Sequence, residues 1–253
     1  MYENELRIAE LAAKQAGDYL KNTKEVLTEK SIGRDIKLSN DKESEKIIIN
    51  ALKHTNYSIL SEELGFVDKK TSYLWIIDPI DGSMNYSRNL RDLSCISIAL
   101  YQDNHPLFGV VYRYYNDELF VGTVDGDAFC NGEKITGSQI DRIDNAVLGT
   151  GFTVRRNYSI DSIQNCIKMI QKFKKVRMIG SAALMCVFVA CGRLDAYIEE
   201  DVMIWDVAAS LTILESAGGK YELIHKDGYV YDCICFANET LYNDYCKWIK
   251  DYN

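Results

Sequence analysis

Proline is almost missing from this chain, with two residues in 253. No proline-rich linker divides it, and no low-complexity tract or internal repeat appears. Long apolar runs are missing too: none approaches the roughly 20 residues that a membrane-crossing helix needs. A positive charge surplus is absent, because 29 Lys and Arg face 37 Asp and Glu, a net charge of −8. Proteins that hold a nucleic-acid backbone need basic surface to displace its counterions, so nucleic acid is excluded as a partner. Only three histidines occur (His54, His105 and His225), and the eight cysteines contain no Cys-x-x-Cys pair and no histidine in zinc-ligand spacing. Reduced, buried thiols in a cytosolic protein are the plain expectation. The first residues lack the basic, apolar, small-residue order of a secretory signal. A cytoplasmic location without membrane contact follows as the expectation.

What is present is an ordinary globular composition, 47% hydrophobic and 26% charged, long enough for a full core. Leu6, Ala9, Ala13, Ala16 and Leu20 recur at helical spacing over 3–22, and a second helix is predicted over 41–54. The polar stretch 23–40 between them reads as a loop or weak hairpin. Short apolar runs at 58–60, 73–77, 95–100, 107–115 and 118–124 predict strands, and Asp125-Gly126 and Asn131-Gly132 predict hairpin turns among them. After about 145, helices at 159–173, 181–191, 206–217 and 239–251 alternate with strands at 176–179, 194–198, 219–224 and 233–237. The fold class is α/β in the α+β sense, with layered architecture. An N-terminal half, 1–145, would carry a mixed, largely antiparallel sheet, and a smaller α/β half, 146–253, would complete one compact unit.

Chemistry concentrates in Trp75-Ile76-Ile77-Asp78-Pro79-Ile80-Asp81-Gly82-Ser83-Met84-Asn85. An apolar strand runs into two aspartates, a glycine and a hydroxyl, at the kind of strand end where ligands sit. Pro79 blocks regular pairing, so a turn is expected after Asp78. Carboxylates and freed carbonyls are hard oxygen donors suited to Mg²⁺. Gly82 lets the backbone approach a phosphate, with the Gly82 and Ser83 amides pointing at it if a helix or turn begins there. A plain turn capped by aspartates is the competing reading. Upstream, Ser61-Glu62-Glu63 places acids at another strand end, a pattern also common on solvated surfaces. Downstream, Trp205-Asp206-Val207-Ala208 opens an apolar helix, where Asp206 could be an ordinary cap. If Glu62, Asp78, Asp81 and Asp206 converge, their combined charge requires cations.

In this order, Glu62-Glu63, the Asp-Pro-Ile-Asp-Gly-Ser-x-Asn segment, Gly180-Ser181-Ala182-Ala183, Trp205-Asp206-Val207-Ala208 and Ala217-Gly218-Gly219 resemble the inositol monophosphatase family over about residues 5–240. The resemblance implies an αβαβα sandwich and a phosphoric monoester hydrolase using two or three Mg²⁺ per site, inhibited by lithium. By position it makes Glu62, Asp78 and the Ile80 carbonyl ligands of a first metal. Asp78, Asp81 and Asp206 would hold a second, and Glu62 would touch a third. Asp41 and Ser83 would orient the attacking water, with Lys30 and Asp35 on the loop before them. Asp81, Gly82, Ser83, Ser181, Ala182 and Asp206 would contact substrate, and Glu199 would bind a substrate hydroxyl, although beside Glu200 and Asp201 it also reads as a solvated acid. Asp41 also reads as a plain helix cap, and the family's threonine three residues before it is Leu38 here.

The implied substrate is a small polyol or sugar phosphate. Inositol-1-phosphate ranks first because Asn85 matches inositol-type members, then fructose 1,6-bisphosphate, then a 3′-phosphonucleotide, whose enzymes carry Lys-Glu at that point. A non-catalytic relative that binds metal and ligand is the alternative from another class. A homodimer is implied by the family alone.

Overall fold

A computed structural model describes residues 2–252 apart from positions 27 and 34, without the side chains of 30–32, 35, 251 and 252. Lys30 and Asp35 thus have side chains outside the described set. The chain opens with helix α1 (Glu3–Asn22), whose Ala9, Ala12, Ala13, Ala16 and Leu20 form one buried stripe. Strands β1 (Thr28–Ile32) and β2 (Asp35–Leu38) pair as an antiparallel hairpin, the structured form of the polar 23–40 stretch. Helix α2 (Ser39–Leu52) starts two residues earlier than its apolar period suggests. Then come β3 (Ser58–Ser61), β4 (Gly65–Val67), β5 (Tyr73–Asp81), the short α3 (Ser83–Ser87), β6 (Cys95–Gln102), β7 (His105–Arg113), β8 (Glu118–Thr123), β9 (Ala128–Cys130) and β10 (Glu133–Lys134). The remainder comprises β11 (Val147–Gly149), α4 (Ile160–Ile170), β12 (Lys175–Arg177), α5 (Ala182–Ala190), β13 (Ala196–Met203), α6 (Ile204–Ser216), β14 (Lys220–Asp227), β15 (Val230–Phe236) and α7 (Glu239–Tyr252).

These elements form two large sheets and three helical layers, the αβαβα sandwich. The first sheet has eight strands in the order β10-β9-β8-β7-β6-β5-β3-β4; its β3–β5 pair is parallel and its other pairs are antiparallel. The second has five, β12-β11-β13-β15-β14, parallel around β11 and antiparallel around β15. Asn131 and Gly132, at φ 51° and 82°, make the two-residue turn between β9 and β10, the conformation that Asn-Gly supplies at low cost. Among the described residues, no helix is long and apolar enough to cross a membrane.

Helices α1 and α2 cover the outer face of the eight-stranded sheet over Trp75, Ile98, Phe108 and Tyr114. Helices α4 and α7 cover the outer face of the other sheet over Leu148, Ala196 and Phe236. Between the sheets lie α5 and α6. Every residue of α5 is buried, as expected of a helix that is apolar all round and has neighbours on every side.

Helix α6 lies directly on the first sheet because two strand glycines make room for it. A Cβ on Gly109 would sit 2.0 Å from the Ala209 carbonyl oxygen, and one on Gly122 would sit 2.6 Å from the Ile213 Cα. Both obstacles are helix backbone, so neither yields by a rotamer change.

The expected turn after Asp78 is corrected. Strand β5 continues through Pro79 to Asp81, with a bulge between Asp78 and Asp81 in its pairing to β6. The bulge releases the ladder position that proline cannot fill, and the Pro79 carbonyl accepts from Ser44 Oγ of α2 at 2.9 Å. The chain reverses instead at Gly82, where φ is +88°.

Gly109→Ala is expected to destabilise the protein by about 3 kcal/mol or to prevent soluble folding, the upper range for overpacking. Urea unfolding of the variant beside wild type measures this; an unchanged midpoint contradicts so close a helix–sheet contact.

Candidate active site

Three chain segments bring acids to one cleft. Strand β3 is parallel to β5, with Ser61 opposite Ile77. The Glu62 amide extends that pairing by donating to the Ile77 carbonyl at 3.3 Å, which seats Glu62 beside Asp78. Asp78 is 2% exposed, and its Oδ1 accepts from the Ile80 amide across the bulge at 3.0 Å. Asp206 stands in the first turn of α6, where its Oδ2 caps the Met203 amide at 3.0 Å. Capping fits the bland reading of Asp206, yet its side chain also lies close to Asp78, so the cap and the cluster are one arrangement.

Asp81 is held by the start of α5. Its Oδ2 accepts from Ser181 Oγ at 2.5 Å and from the Ala183 amide at 2.7 Å, and its Oδ1 accepts from the Ala182 amide at 3.3 Å. Ser181 and Ala182 therefore meet Asp81. Gly82 packs under the same loop: a Cβ there would lie 2.9 Å from the Leu93 carbonyl oxygen and 3.2 Å from that of Gly180.

Asp41 and Ser83 meet as well. Ser83 Oγ is 2.9 Å from Asp41 Oδ1 and 2.9 Å from the Ile80 carbonyl oxygen, so its single proton serves either acceptor. Asp41 Oδ2 accepts from the Leu38 amide at 2.8 Å. Asp41 thus caps α2 and reaches the motif hydroxyl with its other oxygen. The buried Leu38 side chain supplies no polar group there; its backbone does.

Glu199 lies on β13, 8% exposed, and accepts from the Tyr197 hydroxyl at 3.0 Å. The reading of a solvated surface acid fails for Glu199, although Glu200 and Asp201 beside it do turn to basic partners, Arg156 and Lys226. A Cβ on Gly151 would come within 2.5 Å of Glu199 Oε1, so the carboxylate occupies space that only glycine leaves open.

The electrostatics follow from this crowding. Burial raises Glu62, and repulsion from Asp206 and Asp41 adds to it. Burial likewise raises Asp78, reinforced by Glu62, Asp81 and Asp206, and raises Asp206, reinforced by Asp81. Burial pushes Asp41 and Asp81 up to about 6, against hydrogen bonds that favour their anions. Glu199 is pushed up to about 7 by burial, with Asp81 contributing. Lys37 eases the repulsion on Glu62, but its Nζ is 2.8 Å from Glu63. Four buried acids that repel one another, all with hard oxygen donors, suit divalent hard cations. The donor set fits magnesium, with Glu62, Asp78, Asp81, Asp206 and the Ile80 carbonyl as the groups to hold it.

Two positioning roles escape a reading of the sequence. Glu45 of α2 is buried and accepts from the Ser61 hydroxyl and from the Glu63 and Leu64 amides at 3.2 and 3.0 Å, fixing the turn that presents Glu62. Its signal is its place four residues after Asp41, on the same helix face. Asn85 donates from Nδ2 to the carbonyls of Leu93, Ile179 and Gly180 at 2.8, 2.8 and 3.2 Å, tying the motif helix α3 to the loop before α5.

Comparison with known proteins agrees with this geometry. A family model described as the inositol monophosphatase family matches residues 1–247. The chain belongs to the inositol monophosphatase family. Inositol monophosphatase from Anabaena superposes with a TM-score of 0.82 at 32% identity, covering 93% of this chain and 91% of that one. "Fructose-1,6-bisphosphatase/inositol-1-monophosphatase" of Aquifex aeolicus is 30% identical over 98% of this chain and 96% of its own length. "Nus factor SuhB" of Xylella fastidiosa is 35% identical over 71% of this chain, and the match spans 66% of that relative, just under two thirds. The family is one of phosphoric monoester hydrolases.

Carboxylates raised from their ordinary values keep protons in the fold that the unfolded chain releases, so the stability they allow is full below about pH 4 and is lost as pH rises through about 6–7. The metal-stripped protein is therefore expected to melt lower at pH 7.5 than at pH 5, by about 5 °C or more. Saturating Mg²⁺ should remove most of that slope by binding the charged form. Scanning calorimetry with EDTA and with Mg²⁺ checks this, and identical slopes would contradict cation binding at the acids.

Proposed function

We propose that the chain is a magnesium-dependent phosphomonoesterase that hydrolyses a small polyol or sugar phosphate, inositol-1-phosphate first. The observation that carries this reading is the Asp78–Asp206 contact within a crowd that includes Glu62 and Asp81. Acids from three distant segments gain nothing from such closeness unless divalent cations lie among them.

Magnesium bound there, as two or three ions, supplies polarisation of the phosphoryl oxygens and lowers the pKa of a water. The chain's own groups do the rest. Asp41 and Ser83 accept from and orient the attacking water, with Glu62 on its other side. The Gly82 and Ser83 amides, at the reversal after β5, hold the phosphate. Asp81 is fixed by Ser181, Ala182 and Ala183, so it aligns the phosphate site with the loop that contacts the rest of the substrate. Glu199, buried and held by the Tyr197 hydroxyl, accepts a hydrogen bond from a substrate hydroxyl. Preference for a polyol over an apolar ester follows, since a buried acid left without a donor costs about 1–3 kcal/mol.

Asp81→Asn is expected to lower kcat/KM by about 100-fold or more, because one lost charge weakens both cation binding and substrate alignment. Excess EDTA should abolish phosphate release and Mg²⁺ should restore it. In a phosphate-release screen, inositol-1-phosphate should exceed fructose 1,6-bisphosphate, and both should exceed a 3′-phosphonucleotide. Turnover in EDTA, or a normal rate for Asp81→Asn, refutes the mechanism; a preference for the nucleotide refutes only the substrate assignment. No release from any of them with Mg²⁺ present would favour a non-catalytic binding protein.

A further inference from the structure

Beside the carboxylates, the core between the sheets holds three cysteines that the hydrolysis does not use. Cys186 comes from the middle of α5, and Cys233 and Cys235 come from β15, 47 residues further on at the nearest. Their sulfur atoms lie within 4.8 Å of one another, with Cys233–Cys235 at 3.5 Å and Cys186–Cys235 at 3.9 Å. All three are buried and 0% exposed. We propose that Cys186, Cys233 and Cys235 form a second metal site, a buried tris-thiolate for a thiophilic divalent cation of the zinc class.

Distance supports this first. Zinc–sulfur bonds of about 2.3 Å around a tetrahedral centre place sulfurs about 3.8 Å apart, and the two measured separations bracket that value. Ordinary apolar packing of cysteine does not require three sulfurs to face a common point. Chemistry supports it next. Thiolates select soft or borderline cations, while magnesium selects the oxygen cluster, so the two sites do not compete for the same ion. Charge then chooses the valence: three thiolates with a divalent ion leave one net negative charge in the core, and with a monovalent ion they leave two, at greater desolvation cost. The Ser210 side chain of α6 lies beside Cys186 while its hydroxyl donates to the Val207 carbonyl at 3.0 Å, so an oxygen is at hand for the fourth position. Loading replaces three S–H protons by one cation, and those protons go to solvent.

The position connects this site to the cleft. In the β13–β15 ladder Cys233 lies opposite Glu199 and Cys235 lies opposite Tyr197, and opposed residues share a sheet face. A cation among the thiols would pin β15 to α5 directly behind the acid and the tyrosine that holds it. The argument for this site does not depend on the phosphatase reading.

The test uses reduced protein with saturating Mg²⁺, so that the oxygen site is already served. Titration with Cd²⁺ is expected to give an ultraviolet sulfur-to-metal charge-transfer band that saturates at one ion per chain, with about three protons released and a raised melting temperature. Because the thiols are enclosed, a second arm measures zinc retained after desalting by protein produced in zinc-containing medium. Cys233→Ala and Cys186→Ala should lose the band and the retained zinc, while Cys246→Ala on α7 and Asp206→Asn keep them. Cys235→Ser serves as the third variant if either alanine protein fails to fold. Absence of both band and zinc overturns the proposal. So does a band that survives loss of these cysteines, or a non-reducing mass spectrum showing two of them joined as a disulfide in protein that takes up no ion.

Discussion

Mutual repulsion among buried carboxylates is the constraint around which this molecule is arranged. Asp78 and Asp206 lie close enough for each to feel the other's charge, and Glu62 and Asp81 crowd the same space. Nothing in hydrophobic folding favours that arrangement, so other contacts must hold it. Parallel pairing of β3 with β5 places Glu62. The Met203 amide fixes Asp206, and three donors at the start of α5 fix Asp81. Each acid is positioned by an interaction that would exist with or without a cation. The cluster is therefore formed without any cation, and the associated strain is electrostatic rather than conformational.

Both sheets contribute to that cleft, and the two internal helices connect them. Helix α6 carries Asp206 and rests on Gly109 and Gly122 of the first sheet. Helix α5 directs its first amides at Asp81, while its middle packs against the second sheet. Asn85 completes the connection with one side-chain amide reaching both the 83–93 segment and the loop at 179–180. A displacement of one sheet relative to the other would therefore separate the phosphate-facing groups from Glu199.

Much of this was legible in the sequence, for identifiable reasons. Strongly periodic elements such as α1 and the strands β6 to β8 follow directly from apolar spacing, and the Asn131-Gly132 turn follows from its dipeptide, whereas β9 and β10 are too short to show a period. The acids were visible because Asp78, Asp81 and Asp206 sit where strands end or helices begin. The behaviour of Pro79 was not legible: a bulge in β5 accommodates its missing donor and a hydroxyl from α2 satisfies its carbonyl, and both β6 and Ser44 are remote in sequence. Glu45 drew no reading from the sequence, because its burial depends on the turn after β3 folding back over it. The three sulfurs near Cys235 were hidden for the same reason. Zinc-ligand patterns are recognised by short spacing, and here the spacing is supplied by the crossing of α5 over β15.

Gly151 carries a consequence for how this scaffold can diversify. The Glu199 carboxylate rests where any larger residue at 151 would place its first carbon. The three atoms nearest a methyl group at that site would all belong to the Glu199 carboxylate. Under the proposed function, the hydrolytic groups and the choice of alcohol would then be mechanically separable, with position 151 the place where substrate preference could change while the reaction is kept.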